Sequence, residues 1–240
     1  MKCTTVLVLK NEEGNIGPLT EDILAVYKEK NIEGEVLLVD DGSTDLSGEL
    51  CDQLAKDNPN VQAIHHQKNL GRSFAVQTGF QQAKGDVVIV MDSDRQYEPK
   101  QIPLFLSKID EGFDVVNGWR PERQDVLIRR FISKVYNRLI INRNLGLNIK
   151  DQNSGFKAFR RDKALAMGFD PEGYIGLHRF ILPLAALKGL KIIEVPVVHY
   201  DRPSGRSYIK FYTIPLIVLR DYSKFKRDHR EEIKAYKSKR

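Results

Sequence analysis

Short apolar runs rich in β-branched residues alternate with segments of helical periodicity over the first 120 of the chain's 240 residues. Five runs are predicted to be strands: Thr4–Leu9, Val36–Val39, Val61–Ile64, Val87–Met91 and Asp114–Val116. Four segments between them are predicted to be helices: Thr20–Lys30, Leu46–Lys56, Arg72–Ala83 and Gln101–Ile109. Apolar strands that alternate with helices are typical of a parallel sheet with right-handed crossovers and helices on both faces. The pattern therefore predicts an α/β fold.

The pattern changes after Arg120. The elements predicted beyond it are a helix over Leu127–Arg143, a glycine-containing stretch around Asp151–Arg160, a helix over Leu177–Lys188, a strand over Lys191–Val197 and a last helix over Tyr208–Tyr222. We find no internal repeat and no low-complexity linker. We therefore expect one domain over residues 1–222, followed by a basic C-terminal tail over residues 223–240.

Composition excludes several classes of protein. Apolar residues make up 41% of the chain and charged residues 29%, which excludes collagen-like, coiled-coil and wholly disordered proteins. Two cysteines, Cys3 and Cys51, are too few for a disulfide framework or a four-cysteine zinc site. The longest apolar run, Phe180–Leu187, is far shorter than the roughly 20 residues that span a bilayer. With no signal peptide before Thr4–Leu9, we expect a cytoplasmic protein, soluble or peripheral to a membrane.

Positive charge is concentrated in two regions. Residues 119–143 and 223–240 each carry a net charge of +5, whereas the whole chain carries +6 and the rest of it is therefore acidic. Such asymmetry is typical of an anionic partner or, for the second region, of a solvated tail. Nucleic acid is not the expected partner, because no helix-turn-helix, zinc-finger or aromatic RNA-binding motif accompanies the charge.

Two acidic clusters follow predicted strands. Residues 40–45 read Asp-Asp-Gly-Ser-Thr-Asp, and residues 92–94 read Asp-Ser-Asp. Ligands bind at the carboxyl ends of the strands of an open parallel sheet. Residues two apart in extended backbone point the same way, so Asp92 and Asp94 can converge on one point. Such an all-oxygen pair favours Mg²⁺ or Mn²⁺, although the alternative is a polar turn without a metal.

The loop after the first strand indicates which class of ligand binds at this edge. It contains neither a Gly-x-x-x-x-Gly-Lys loop nor a Gly-x-Gly-x-x-Gly motif, which argues against P-loop NTPases and dinucleotide enzymes. Residues 10–16 read Lys-Asn-Glu-Glu-Gly-Asn-Ile, whose carboxylates suit hydroxyl and base-edge donors better than phosphates. We therefore expect a nucleotide-sugar site, in which these acids hold the nucleoside and a metal beside the fourth strand holds the diphosphate.

Together these motifs resemble glycosyltransferase family 2, whose members have the GT-A fold. The segments that carry the resemblance are residues 11–16, 40–45, 69–72 with 79–80, and 92–96. Later segments resemble the branch that makes dolichyl- or polyprenyl-phosphate sugars, and they are residues 118–125 with Arg129 and Ser133, 151–160, 177–180 and 195–202. The resemblance covers about residues 4–222. It implies a Rossmann-like, mostly parallel sheet with helices on both faces.

The resemblance implies a hexosyltransferase that moves a sugar, with inversion, from a UDP- or GDP-linked donor to a polyprenyl or dolichyl phosphate. Carried over residue by residue, it implies three groups of site residues. The donor-binding group is Glu12, Asp40, Asp41, Arg72 and Arg202, of which Arg202 lies near the diphosphate. The metal group is Asp92, Asp94 and Gln96. The acceptor-phosphate group is Arg120, Arg129 and Ser133, and Asp151 either orients cationic side chains or assists the metal.

The chemistry of the acceptor agrees with this branch. Transfer to a hydroxyl needs a base, which family 2 usually supplies as an Asp, but residues 174–178 contain no acid. A phosphate monoester has a second pKa of about 6, so it is already ionised and needs no base. Arg129 and Ser133 are four residues apart and share a helix face, unless that helix only displays solvated charge. We expect His178 to be a structural histidine and leave the role of Arg179 open.

Two departures from the family affect the site. Lys10 stands where the family often has Tyr, and residues 205–208 read Gly-Arg-Ser-Tyr where the family has Gly-x-Ser-Lys, so Arg206 or Lys210 is expected to replace that lysine. Many relatives carry transmembrane helices after this point, and this chain shows no such segment.

Tyr208–Tyr222 is strongly apolar and is followed by cations, as in an interfacial helix. We therefore expect peripheral contact with anionic lipid on the cytosolic face, with burial against the core or a second copy as the alternative. A membrane-embedded partner subunit or a homo-oligomer is also considered.

Two other functions remain open from the sequence. The first is a soluble family 2 transferase that acts on a hydroxyl of a glycan or small molecule, with Asp151 or Glu172 as its base. The second is a non-catalytic nucleotide-sugar-binding protein, which is disfavoured because Asp92 and Asp94 are both present.

Overall fold

The computed structural model describes residues 2–121, 145–203 and 214–238, with the side chains of residues 214 and 215 excepted. These residues contain one sheet of seven strands. The strands are β1 (Cys3–Leu9), β2 (Gly34–Asp40), β3 (Val61–His65), β4 (Val87–Asp92), β5 (Val115–Trp119), β6 (Lys157–Arg160) and β7 (Ile192–Pro196). Their order across the sheet is β3-β2-β1-β4-β6-β5-β7. Strand β6 is antiparallel to both of its neighbours, and the other pairings are parallel.

The described helices cover both faces of this sheet. They are α1 (Ile16–Glu29), α2 (Ser47–Asp57), α3 (Arg72–Gln82), α4 (Ile102–Asp110), α5 (Arg161–Ala166), α6 (Ile181–Leu187), α7 (Ile214–Asp228) and α8 (Arg230–Ser238), with short 3₁₀ turns at Pro99–Gln101 and Leu177–Phe180. The strands and helices predicted for the first 120 residues are confirmed, with ends that shift by up to four residues. The predicted helix over Leu127–Arg143 lies outside the described residues.

Alternation along the strands divides the core into two layers. Val6 and Val8 of β1 point to the layer that contains residues of α3, α6 and α8, whereas Leu7 and Leu9 point to the layer that contains residues of α1 and α4. Because strand side chains alternate between faces, a strand with apolar residues at every position is buried on both sides. The predicted α/β architecture with helices on both faces is confirmed.

Strand β6 was not predicted. The sequence interpretation treated residues 151–160 as a glycine-containing stretch, but Lys157–Arg160 form a strand between β4 and β5. The run is only four residues long and includes two cations, so it lacks the apolar signal of the other strands. Helix α5 directly follows β6 and was also missed. This insertion brings the loop before β6 to the carboxyl edges of β4 and β5.

The segment predicted to be a basic tail is largely helical. Residues 223–228 complete α7, and residues 230–238 form α8. Phe225 is fully buried and stacks on Phe180 with ring centroids 5.0 Å apart, and Ile233 is also buried in the core. The described part of this segment therefore packs on the domain, which corrects the picture of a solvated tail. Within the described ranges, none of the helices combines the length and apolarity that a membrane crossing requires.

Candidate active site

The acidic cluster after β2 builds the loops at its end of the sheet. Asp40 accepts hydrogen bonds from the Ser43 backbone N–H at 2.9 Å and pairs with His65 Nδ1 at 3.0 Å. Burial alone would raise the pKa of Asp40, but the hydrogen bonds with Ser43 and His65 outweigh it and lower the pKa. Asp41 accepts the backbone N–H groups of Leu70 and Gly71, each at 2.8 Å. Both predicted donor-binding carboxylates thus lie at the predicted edge and hold the surrounding chain.

Glu12, in the loop after β1, is in direct contact with Arg202, in the segment after β7. The Arg202 guanidinium forms an ion pair with Glu12 Oε1, although 190 positions separate the two residues in the sequence. The other carboxylate oxygen of Glu12 accepts a hydrogen bond from Asn15 Nδ2 at 2.7 Å. The two predicted donor-binding residues are therefore neighbours, and each orients the other.

Asp92 lies at the end of β4 in contact with two other elements. Its carboxylate forms an ion pair with Arg72 at the start of α3. Its backbone N–H donates to the Gly155 carbonyl at 3.1 Å. A side chain at position 155 would overlap the Asp92 carboxylate, so this close approach requires glycine. The predicted metal ligand and the predicted donor-binding arginine are brought together.

Asp94 completes an acidic pair with Asp92. Burial and the neighbouring Asp92 carboxylate raise the pKa of Asp94, and Arg202 only partly offsets this effect. A cation between two neighbouring carboxylates offsets the repulsion that raises the pKa of Asp94. Gln96 donates its amide N–H to the Tyr200 carbonyl at 2.9 Å, which fixes the orientation of the amide.

The oxygen atoms of Asp92, Asp94 and Gln96 fit a hard divalent cation. Nowhere in residues 2–121, 145–203 and 214–238 do three or more His, Cys, Asp or Glu side chains form a complete metal cage. Mg²⁺ and Mn²⁺ sites of few carboxylates are common where water and substrate phosphates supply the remaining ligands.

Arg120 and Asp151 form a buried bidentate pair beside this acidic pair. Arg120 Nε lies 2.7 Å from Asp151 Oδ2, and Arg120 Nη2 lies 3.1 Å from Oδ1. Asn117 of β5 donates to the Asp151 carbonyl at 2.9 Å, and Glu194 of β7 accepts the Asp151 backbone N–H at 3.2 Å. The structure thus supports the expectation that Asp151 orients a cationic side chain. Sequence reasoning missed Asn117 and Glu194, whose polar type within apolar strands was the available signal.

His178 is held by Ser73 of α3. Its Nδ1 lies 2.9 Å from Ser73 Oγ, which also accepts the His178 backbone N–H at 3.1 Å. Burial, followed by the charges of Arg179 and Arg72, lowers the pKa of His178 well below its usual value. These bonds agree with the expected structural histidine. Arg179 lies beside Gly176, in a loop whose backbone N–H groups donate to the buried carboxylate of Asp221.

Three of the predicted features lie outside the described residues. They are Arg129, Ser133 and the segment of residues 205–208. The roles of Arg129 and Ser133 at the acceptor phosphate stay predictions, as does the replacement of the phosphate-binding lysine by Arg206 or by Lys210, which also lies outside the described residues. Glu172, the alternative base, is exposed in the loop after α5.

Solved structures with a similar fold include two enzymes. Mannosyl-3-phosphoglycerate synthase from Rubrobacter xylanophilus has a TM-score of 0.69 at 14% identity, over 96% of this chain and 75% of that one. Glucosyl-3-phosphoglycerate synthase from Mycobacterium tuberculosis, in complex with Mn²⁺ and UDP-glucose, has a TM-score of 0.63 at 20% identity, over 84% of this chain and 72% of that one. The likeness confirms the predicted GT-A fold.

Curated relatives are closer in sequence. The undecaprenyl-phosphate 4-deoxy-4-formamido-L-arabinose transferase of Pectobacterium carotovorum is 37% identical over 87% of this chain, and that of Photorhabdus laumondii is 36% identical over 88%. The chain spans only about three fifths of their length, with 62% and 63% covered. The family model described as glycosyl transferase family 2 matches residues 4–166. Because that match covers well over half of the chain and agrees with the motifs at the sheet edge, the protein belongs to glycosyl transferase family 2.

Proposed function

We propose that this protein transfers a sugar, with inversion, from a nucleoside diphosphate donor to the phosphate of a polyprenyl or dolichyl lipid. The observation that carries the proposal is the arrangement of Asp92, Asp94 and the bound pair Arg120–Asp151 at one sheet edge. Carboxylates that fit a divalent cation thus lie beside an arginine that is pre-oriented for an anion. The curated relatives are named as undecaprenyl-phosphate sugar transferases, which supports the same acceptor class.

The donor binds at the acidic pair in this proposal. Asp92, Asp94 and Gln96 hold Mg²⁺ or Mn²⁺, and the Mn²⁺ and UDP-glucose in the glucosyl-3-phosphoglycerate synthase complex support this donor class. A bound divalent cation supplies Lewis-acid stabilisation of the charge that develops on the departing diphosphate. Arg72 and Arg202, now paired with Asp92 and Glu12, are close enough to offer guanidinium groups to the same phosphates. Glu12 faces the nucleoside, and Asp41 shapes the loop beside it through the backbone N–H groups of Leu70 and Gly71.

The acceptor binds on the Arg120 side in this proposal. Asp151 takes two guanidinium nitrogens of Arg120, which fixes its plane and leaves Arg120 Nη1 at 3.5 Å from His199 Nε2. Arg129 and Ser133 join it at the acceptor phosphate. That phosphate is a dianion at neutral pH, so it attacks the anomeric carbon without a base. The lowered pKa of His178 makes its imidazole a poor base, and both carboxylate oxygens of Asp151 are occupied by the Arg120 guanidinium.

Contact with an anionic membrane on the cytosolic side forms the third part of the proposal. One face of α7 exposes 73% of Leu216 and 49% of Leu219, and Lys226 and Arg227 are exposed two turns further along. An apolar face with a basic flank is typical of helices that lie on a bilayer surface. Such contact brings the edge of the sheet to a lipid that has only its phosphate in water.

The experiment that tests the proposal is a transfer assay with a panel of radiolabelled nucleotide sugars. The panel includes UDP- and GDP-hexoses and a nucleotide-linked 4-deoxy-4-formamido-L-arabinose, each with polyprenyl phosphate in EDTA, Mg²⁺ or Mn²⁺. We expect a lipid-linked product only with a divalent ion. Product formed with polyprenol or a soluble hydroxyl, but not with the lipid phosphate, contradicts the proposed acceptor.

Variants assign the roles in the same assay. Asp94→Ala is expected to lower turnover by at least 100-fold, because it removes one of the two carboxylates proposed for the cation. Asp86→Ala is the matched control, since Asp86 is exposed and directly precedes β4, at the opposite end of that strand from Asp94. Arg129→Met is expected to raise the KM for the lipid phosphate about tenfold and to leave the KM for the donor unchanged.

A further inference from the structure

One peptide group lies between Asp92 and two buried side chains. The Lys157 ammonium donates to the Ser154 carbonyl, and the Gly155 backbone N–H donates to the Tyr97 hydroxyl at 2.8 Å. The carbonyl of residue 154 and the N–H of residue 155 belong to the same peptide unit. Lys157 and Tyr97 therefore hold this unit at its two ends.

Gly155, which follows this peptide bond, is in direct contact with Asp92. Gly155 is in such close contact with the Asp92 carboxylate that a Cβ atom would overlap it. The Gly155 carbonyl also accepts the Asp92 backbone N–H at 3.1 Å. A displacement of the Ser154–Gly155 peptide would move the Gly155 Cα, against which the carboxylate packs, and the Gly155 carbonyl that follows it in the chain and accepts the Asp92 N–H.

Both side chains are buried, and their polar ends are in contact with this peptide. Lys157 is 6% exposed and Tyr97 is 2% exposed. Lys157 pairs with Val90 in the β4–β6 register, so alternation puts it on the same sheet face as Asp92 two residues further along. Burial lowers the pKa of Lys157 to about 7. The hydrogen bond does not depend on its charge, because a neutral amine also donates to a carbonyl.

We propose that Tyr97 and Lys157 are positioning residues that fix the Ser154–Gly155 peptide and, through it, the Asp92 carboxylate as a metal ligand. The inference rests on the proposed function, because only there is Asp92 a ligand. Groups that orient metal ligands without touching the metal typically change metal affinity 10–100-fold when they are removed. This role gives a reason for the burial of a lysine in β6.

The test measures Mn²⁺ binding to the full chain by the electron paramagnetic resonance signal of the free ion, without substrate. We expect Lys157→Met and Tyr97→Phe each to weaken Mn²⁺ binding about tenfold. Both substitutions keep the side-chain volume and remove only a polar group. We expect the double variant to weaken binding by less than the product of the single effects, because both side chains act on one peptide. In turnover, the Mn²⁺ concentration for half-maximal rate rises while kcat at saturating Mn²⁺ stays within twofold.

Glu35→Gln is the control for a general loss of stability. Glu35 is buried and accepts hydrogen bonds from Thr4 Oγ1 at 2.7 Å and the Lys84 N–H at 2.9 Å, at the opposite edge of the sheet. The Glu35→Gln substitution is expected to lower the melting temperature and leave the Mn²⁺ affinity unchanged. An equal loss of affinity in this variant would show a global effect and overturn the positioning role.

Asp92→Asn separates the two proposals. If it abolishes Mn²⁺ binding while Lys157→Met and Tyr97→Phe bind within twofold of the wild type, the metal site stands and the positioning role is overturned. If the wild type binds no Mn²⁺, either alone or with UDP or GDP added, or if Asp92→Asn binds it equally well, the metal site fails and the positioning role with it.

Discussion

Individual carboxylates at the sheet edge differ in what their oxygen atoms bind. Asp40 and Asp41 accept backbone N–H groups from nearby loops, so they are committed to shaping those loops. Asp92 and Glu12 instead pair with arginine side chains from other elements. Side-chain pairs can exchange partners when a phosphate arrives, whereas a loop-building carboxylate cannot do so without moving the backbone. We therefore assign ligand exchange to the second group.

His65 provides a test at the residue scale. It bridges Asp40 Oδ2 at 3.0 Å and Asp52 Oδ1 at 3.1 Å. Burial alone would lower the pKa of His65, but the hydrogen bonds with Asp40 and Asp52 outweigh it and raise the pKa. A histidine whose pKa is higher in the folded state than in the unfolded state stabilises the folded protein fully below about pH 6.5, the pKa of an unperturbed histidine. That stabilisation is lost as the pH rises through the pKa of the folded state.

We predict that His65→Gln reduces the loss of thermal stability between pH 6 and pH 8.5. The side chain is 36% exposed, so the pair is worth only about 0.2–1 kcal/mol, or about 1–3 °C in melting temperature for a chain of this size. The measurement is the melting temperature of wild type and variant across this range. Parallel curves for the two proteins would contradict the prediction.

At the scale of elements, the sequence predicted the strands that have a local apolar pattern. It missed the strand and the ion pair that depend on contacts between residues distant in the chain. Strands β1 to β5 contain short runs of apolar residues, which is the pattern expected of buried strands. Strand β6 has no such run, and Lys157 is accommodated in the core by its contact with Ser154 and by the charges of Asp151 and Asp92. The ion pair of Glu12 with Arg202 joins residues 190 positions apart, so no local pattern indicates it. The motifs identified the residues of the candidate site, but which of them pair with one another required the fold.

Helix α8 tests whether the C-terminal segment belongs to the fold. Ile233 is 6% exposed in the core layer that contains Phe180 and Phe225. Its helix also contacts α6 through the pair of Lys188 Nζ with Glu232 Oε1 at 2.7 Å. Truncation of a buried isoleucine removes apolar contacts and leaves a cavity.

We predict that Ile233→Ala lowers the free energy of unfolding by about 2 kcal/mol, at the low end for buried isoleucine because a terminal helix relaxes readily. Lys234→Ala on the same helix is the control, since its side chain is 58% exposed and it should change stability by less than about 0.5 kcal/mol. Urea denaturation measures both. Equal stability of the two variants would show that α8 does not contribute to the core.

For the whole molecule, the charge distribution relates the fold to its proposed acceptor. The regions 119–143 and 223–240 each carry +5, and the rest of the chain is acidic overall. An acidic body repels an anionic surface unless its basic regions face that surface, so the asymmetry orients the molecule. Part of the second region lies on α7, whose exposed face begins with Leu216 and Leu219 and continues with Arg220, Lys226 and Arg227.

We predict that the protein binds anionic vesicles through two separable contributions. Charge reversal at Lys226 and Arg227 should weaken binding severalfold at low salt and have little effect above about 0.5 M, because salt screens exposed charges. Leu216→Ser with Leu219→Ser should weaken binding at every salt concentration, because apolar insertion is not screened. Vesicle flotation across a salt series measures both. Lys28→Glu with Lys56→Glu, exposed at the opposite edge of the sheet, is the control for net charge. If it weakens flotation as much as the α7 variant does, the protein has no preferred face and total charge alone accounts for binding.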